Sequence, residues 1–216
     1  MDSSYREIAG QSSERLAAIS DGIFGVAMTL LLLELHTPEK VAIQPGDEWA
    51  LFHALAGNLP MLLVYLMSFM TLGIFWVGQQ TQLNYLDRSD RNLTWLHLGF
   101  LFPVTIVPFS TRLLTNFISY KVALLFYWLN ILVLGALLYA CWRYTVRAGL
   151  VVETAQPGIP AAICRRILIA QVLYGAGAGL CFVSTSWSIA FIVMVQLNYV
   201  IEPMAWLKRP AGAAQK

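Results

Sequence analysis

Apolar residues in this chain run in long uncharged blocks separated by short polar stretches. Residues 49–86, 92–111, 122–142 and 167–201 contain no Asp, Glu, Lys or Arg, and each block reaches the roughly 20 residues an α-helix needs to cross a bilayer. A further apolar stretch runs from Arg15 to about Leu35 and stops at a loop rich in turn formers, with Pro38, Pro45 and Gly46. The 49–86 block would be about 57 Å long as one helix, nearly twice the hydrocarbon thickness, so it must divide. Residues 49–58 suit an interfacial lead-in, and Pro60 suits the first turn of a span ending near Gln79. The 167–201 block divides at Ser184-Thr185-Ser186. The pattern therefore predicts an all-α membrane protein with six spans: about 15–35, 60–79, 93–114 (interrupted by Pro103 and Pro108), 122–142, 164–183 and 187–207.

Composition agrees. The 216 residues are 58% hydrophobic and 12% charged, about half the charge of a soluble domain. The expected organisation is a cytoplasmic segment at 1–14, one six-helix transmembrane domain at 15–207 and a cytoplasmic tail at 208–216. With six spans both termini share a side. Eleven of the fourteen basic residues fall there, and only Lys40, Arg112 and Lys121 fall on the other. The positive-inside rule then places both termini in the cytoplasm, and the expected location is the cell membrane. The first polar stretch lacks the pattern of a cleaved signal peptide. A net charge of +2, spread over membrane-flanking segments, offers no footprint for nucleic acid. Cys141, Cys164 and Cys181 stand alone, without the spacing of a metal site or disulfide framework.

The unusual chemistry is in the first span. Asp21 lies about one and a half turns inside its cytoplasmic end, where an ionisable group is costly unless paired or wet. At 100° per residue, Ile19, Gly22, Val26, Thr29 and Leu33 share one stripe while Asp21 points away from it. Two readings of the residues stay open. The stripe can line a pore around a symmetry axis with Asp21 bracing the helix from behind; or it is the ordinary outer face of an apolar helix, with Thr29 bonded back to its own carbonyls. Arg15 and Asp21 are six apart and off one face, so their partners should come from other helices, with Trp95 and His97 on the third span as candidates.

The run Arg15-x3-Ile19-Ser20-Asp21 followed by Gly22-Ile23-Phe24-Gly25-Val26-Ala27-Met28-Thr29-Leu30-Leu31 resembles the signature of the transmembrane protein 175 family of potassium channels. Ser68-Phe69 and Trp76, then Asn92-Leu93-Thr94-Trp95-Leu96 and Pro108-Phe109-Ser110-Thr111, resemble the family's second and third helices in order and spacing. Ile19 departs from the usual Phe, Gln79-Gln80 from an expected His pair and His97 from a common Asn. One repeat of six helices resembles the prokaryotic form. The resemblance implies a homotetramer with the first helix lining a central pore. Val26, Thr29 and Leu33 would form its rings, with apolar gates at Val26 and Leu33 and a hydroxyl ring at Thr29 past which K+ moves transiently. Arg15, Ile19, Ser20 and Asp21 would brace the helix. It implies a passive, moderately potassium-selective channel with no cofactor, no structural metal and no enzymatic activity. Its partners would be other copies of the chain, monovalent cations and the lipid bilayer.

The competing class is a small proton- or cation-coupled transporter, which needs paired ionisable groups near the midplane. Only Asp21 and Glu202 offer themselves, both near one membrane face. An enzyme is third, since His36, His53 and His97 are not spaced as ligands of one site. No TVGYG-type carbonyl filter is present, so selectivity would rest on side chains of a helix.

Overall fold

The structure is a computed structural model and describes residues 13–33, 35 and 46–201. Seven α-helices follow one another among them: α1 (Ser13–Leu33), α2 (Glu48–Gly57), α3 (Leu59–Asn84), α4 (Arg91–Asn116), α5 (Lys121–Arg147), α6 (Ile159–Gly179) and α7 (Thr185–Ile201). α1, α3, α4, α5 and α6 with its following turn are long and apolar enough to cross a membrane; α7 is apolar over its 17 described residues. The N-terminal segment before Ser13, Glu34, His36, Glu202 and the tail from Lys208 lie outside the described residues.

Sequence signals account for most boundaries. Asp47 caps α2 by accepting from the Ala50 N–H at 2.9 Å. The long 49–86 block breaks at Asn58, and Pro60 sits in the first turn of α3, where its missing N–H costs nothing. Asp90 caps α4 through Leu93 N–H at 2.8 Å. α5 ends in a Schellman motif. Gly149 takes φ +65°, Leu150 N–H reaches Thr145 O at 3.0 Å, and Gly149 N–H reaches Val146 O at 3.3 Å. The last apolar block divides at a 3₁₀ turn, Leu180–Phe182, with Ser184 before α7.

Two expectations need correction. Pro103 and Pro108 do not interrupt α4; both are buried inside one continuous helix. Neighbouring helices supply the packing that lets a proline stay within a spanning helix. Two helices also run past the ends expected for their spans: α3 continues past Gln79 to Asn84 and α5 past Trp142 to Arg147. Polar residues at these ends, Gln80 to Asn84 in α3 and Arg143 to Arg147 in α5, extend the helix rather than terminating it.

α4 is central, packed on α5 most extensively and also on α1 and α3, while α6 lies outside against α5 and α7. The core is not purely apolar. Thr111 Oγ1 donates to Ser68 Oγ at 2.8 Å and Ser68 Oγ to the Tyr127 hydroxyl at 3.3 Å. Gln196 Nε2 donates to Thr71 Oγ1 at 2.7 Å, and Thr71 lies 3.0 Å from the same Tyr127 oxygen. This buried chain of hydroxyls and an amide joins α3, α4, α5 and α7. Such cross-helix bonds replace the hydrophobic drive that lipid cannot supply between helices.

At the end of the bundle where α3 and α5 finish, the two following loops pair. Asp87 N–H reaches Leu150 O at 2.9 Å and Val152 N–H reaches Tyr85 O at 3.0 Å, forming one antiparallel bridge between Leu86 and Val151. The Tyr144 hydroxyl adds a 2.6 Å bond to Asp90 Oδ2.

Candidate functional site

α1 has two distinct faces. Leu16, Ser20, Phe24, Ala27 and Leu31 are buried, recurring every three to four residues as one helical stripe. They pack against α3 and α4. The far side carries Ile19, Gly22, Val26, Thr29 and Leu33, all exposed; Val26 is 59% and Leu33 73% exposed. No described residue covers these five positions, and Thr29 alone among them carries a polar side-chain group. Thr29 Oγ1 donates to Val26 O at 2.8 Å. Its proton is thereby directed along the helix, so the hydroxyl can meet the outside only as an acceptor, through its lone pairs.

Three hydrogen bonds from α3 fix α1 on its other side. Gln79 Nε2 donates to Ser20 Oγ at 2.8 Å, and that hydroxyl donates onward to Leu16 O at 2.7 Å. Trp76 Nε1 and Gln80 Nε2 both donate to Asp21 Oδ1 at 2.7 Å. Trp76 and Gln80 are four apart, so they rise one above the other on a single face of α3 and close on the same carboxylate oxygen. Both are charge-assisted bonds of the stronger kind. Ser20 and Gln79 are fully buried, so this contact sets the register of α1 against α3.

Neither Trp95 nor His97, the partners expected from sequence, bonds to Asp21. His97 is buried in α4 with Nδ1 3.1 Å from Leu93 O of its own helix. Trp95 is 64% exposed. Asp21 bonds to Trp76 and Gln80 instead. The available sequence signal was the pair Gln79-Gln80, conspicuous as a departure from the family pattern. Trp76, already part of the resemblance, sits one turn before Gln80. Arg15 and Ile19 stand exposed near the start of α1.

No group of three or more His, Cys, Asp or Glu side chains able to hold a metal occurs among the described residues. The three cysteines are free.

What these observations define is a polytopic α-helical membrane protein whose first helix is bonded on one side to α3 and, among the described residues, has no neighbour on the other. The family model described as "Endosomal/lysosomal potassium channel TMEM175" matches residues 15–108, from the signature through most of α4. A potassium channel of Streptomyces collinus is 32% identical over 207 residues, covering 93% of this chain and 98% of that protein. The crystal structure of a lysosomal potassium-selective channel TMEM175 homologue from Chamaesiphon minutus superposes with a TM-score of 0.73 at 25% identity, covering 88% of this chain and 96% of that one. The rat protein named endosomal/lysosomal proton channel TMEM175 is 24% identical over 207 residues, which is 92% of this chain but 40% of that protein. The chain belongs to the TMEM175 family, a family of ion channels rather than of enzymes.

Proposed function

We propose that this chain forms a homotetrameric, moderately potassium-selective cation channel in the cell membrane, with six spans per subunit and both termini in the cytoplasm. α1 lines the pore. The observation that carries the reading is the division of labour on α1. Its Leu16–Leu31 stripe and Asp21 are engaged by α3 and α4, while Val26, Thr29 and Leu33 are left facing away from the subunit. Four copies around an axis turn these three positions into rings.

The rings at Val26 and Leu33 act as gates. A cation that has shed water gains nothing from methyl groups, so a narrow apolar ring empties of water and stops conduction; a small dilation restores it. The ring at Thr29 offers four neutral oxygens, already oriented as acceptors by the bonds to Val26 O. Few neutral ligands compensate only partly for lost hydration. They therefore favour the more easily dehydrated potassium ion over sodium moderately, and they hold divalent ions weakly because no carboxylate joins them. Arg15, Ser20 and Asp21 act behind the pore, fixing the rotation of α1 so that Thr29 faces the axis, and Ile19 completes the bracing signature from the exposed side. The transporter alternative needs a carboxylate free to exchange its partner. Asp21, the candidate within the described residues, is engaged by two donors from α3.

The test is the reversal potential of the purified protein in a planar bilayer with potassium on one side and sodium on the other, repeated under an imposed proton gradient. Current reversing toward the potassium potential and indifferent to the proton gradient is the expected result. Flux that follows the proton gradient with fixed stoichiometry overturns it in favour of a coupled carrier, and a proton-dominated reversal potential gives the selectivity to H+.

A further inference from the structure

α1, α3, α6 and α7 enclose an open cleft of about 660 Å³ on the flank of α1 next to its exposed stripe. Its walls are apolar, with Phe24 and Met28 from α1, Phe69, Met70 and Ile74 from α3 and Val200 from α7. Gly25 and Gly73 also line it, and a methyl group added at either meets no atom within 4 Å. The cleft is open space against the helix backbones rather than packed core. Among the described residues that line it, Asp21 and Arg166 carry charge.

Both charges sit at one end. Asp21 is tied to Trp76 and Gln80 of α3. Arg166 also lines a smaller neighbouring cleft whose α3 residues run from Ile74 to Gln82, a stretch that brackets Trp76 and Gln80. The Arg166 guanidinium lies 5.6 Å from the ring centroid of Tyr199, a cation–π contact that holds it at the cleft mouth without using its N–H donors. At Asp21 both protein donors fall on Oδ1, and among the described residues Oδ2 accepts none.

We infer that this cleft binds one zwitterionic aminophospholipid, phosphatidylethanolamine in chemistry, with an acyl chain along the apolar walls, the phosphate on Arg166 and the ammonium on Asp21. The walls match a hydrocarbon chain in a protein that lives in a bilayer. A guanidinium fork matches phosphate oxygens, and a carboxylate matches a primary ammonium, which can donate hydrogen bonds. An anionic headgroup would satisfy Arg166 but meet like charge at Asp21. A quaternary ammonium could approach Asp21 but donate nothing to it.

Native mass spectrometry on the full-length assembly, delipidated in detergent and titrated with phosphatidylethanolamine, phosphatidylglycerol or phosphatidylcholine of one acyl composition, tests this. The expected result is one retained phosphatidylethanolamine per chain, held more tightly than either other lipid. Arg166→Gln should weaken that retention about tenfold, the size of one lost charge-assisted contact, with Arg166→Lys in between. Gly73→Phe fills the cleft from α3 and should abolish retention with subunit stoichiometry unchanged; Val200→Trp fills it from the exposed outer wall if the first variant folds poorly. Phosphatidylglycerol retained as well as phosphatidylethanolamine, or retention indifferent to Arg166→Gln or to both filling variants, overturns the assignment. Loss of subunit association in both filling variants also overturns it, because the cleft then seats a second copy of the chain.

Discussion

α1 and α6 are both 21 residues long, and they are held by different means. α1 buries five residues along one stripe and is fixed by donors from α3 at Ser20 and Asp21. α6 buries only Tyr174, Gly177 and Ala178. Its attachment combines close approach with bonds made mostly to backbone carbonyls, among them Trp142 Nε1 of α5 donating to Pro160 O at 3.0 Å. A Cβ at Gly177 would stand 2.8 Å from an Ile192 side-chain carbon of α7. Ser188 of α7 donates a short hydrogen bond to the Gly177 carbonyl. On the other side, the Gln171 side chain lies over the bare backbone of Gly135 in α5. Bonds that converge on side chains midway round one face, as at Ser20 and Asp21, fix the rotation of a helix about its own axis, which is what a helix needs if its far side must present a chosen stripe. Close packing around small residues fixes distance and tolerates an unspecific outer face, such as the one α6 turns outward with Val172.

That contrast can be broken at either helix. The largest effect is expected at Gly177, where leucine must displace Ile192 and Phe191 and breaks the approach on which α7 depends. Overpacking of this kind costs about 3 kcal/mol. Thermal unfolding of the detergent-solubilised protein should register it, with Gly177→Ala clearly milder because the damage scales with size. At α1 the damage should scale with charge instead. Asp21→Ala leaves the Trp76 and Gln80 donors without their shared acceptor. Allowing for its exposed position, the two bonds together are worth about 2 kcal/mol. Asp21→Asn keeps an acceptor oxygen and should lose about half as much. If alanine and asparagine are equally damaging, or if either shifts ion selectivity in a fully assembled channel, Asp21 is not a bracing group. Ser20→Ala is a smaller version of the same test. It removes the acceptor of a buried Gln79 amide, at about 1 kcal/mol, and should lower assembly stability without a change in single-channel current.

Much of this was legible in the chain. The break near Asn58, the start of α3 at Pro60 and the division before Thr185 follow from the length of the uncharged blocks and the turn formers in them. The two faces of α1 follow from a 100° step applied to one segment, since periodicity is a property of a single helix. The partners of Asp21 were not legible. Being six residues from Arg15 excludes a same-face partner on α1 but does not say how α1 is slid and rotated against α3, and a shift of one turn exchanges Gln80 for Trp76 or Asn84. Trp95 and His97 were assigned from the neighbouring helix α4, which does pack on α1, but the His97 ring nitrogen faces its own Leu93 carbonyl. α4 likewise absorbs Pro103 and Pro108 because its surroundings support them, a tertiary fact that composition does not carry. The buried chain from Thr111 to Gln196 contains a bond between residues 125 positions apart, beyond any local pattern.

The smallest effect expected is the one that bears most directly on why the two helices differ. Thr29→Val exchanges a hydroxyl for a methyl of similar size at an exposed site on α1, while Val172→Thr makes the reverse exchange at an exposed site on α6. Neither contributes a bond to another helix in the structure, so neither should move assembly or unfolding appreciably. If the outer side of α1 faces a pore, Thr29→Val removes four oxygens from the ion path and should reduce the potassium preference by about threefold. That is less than 1 kcal/mol, as expected for neutral ligands that replace hydration only in part. Val172→Thr should leave the reversal potential unmoved. Equal silence from both would mean that α1 and α6 turn the same kind of surface outward, and the rigid attachment at Asp21 would then have to serve something other than the aim of a pore-lining stripe.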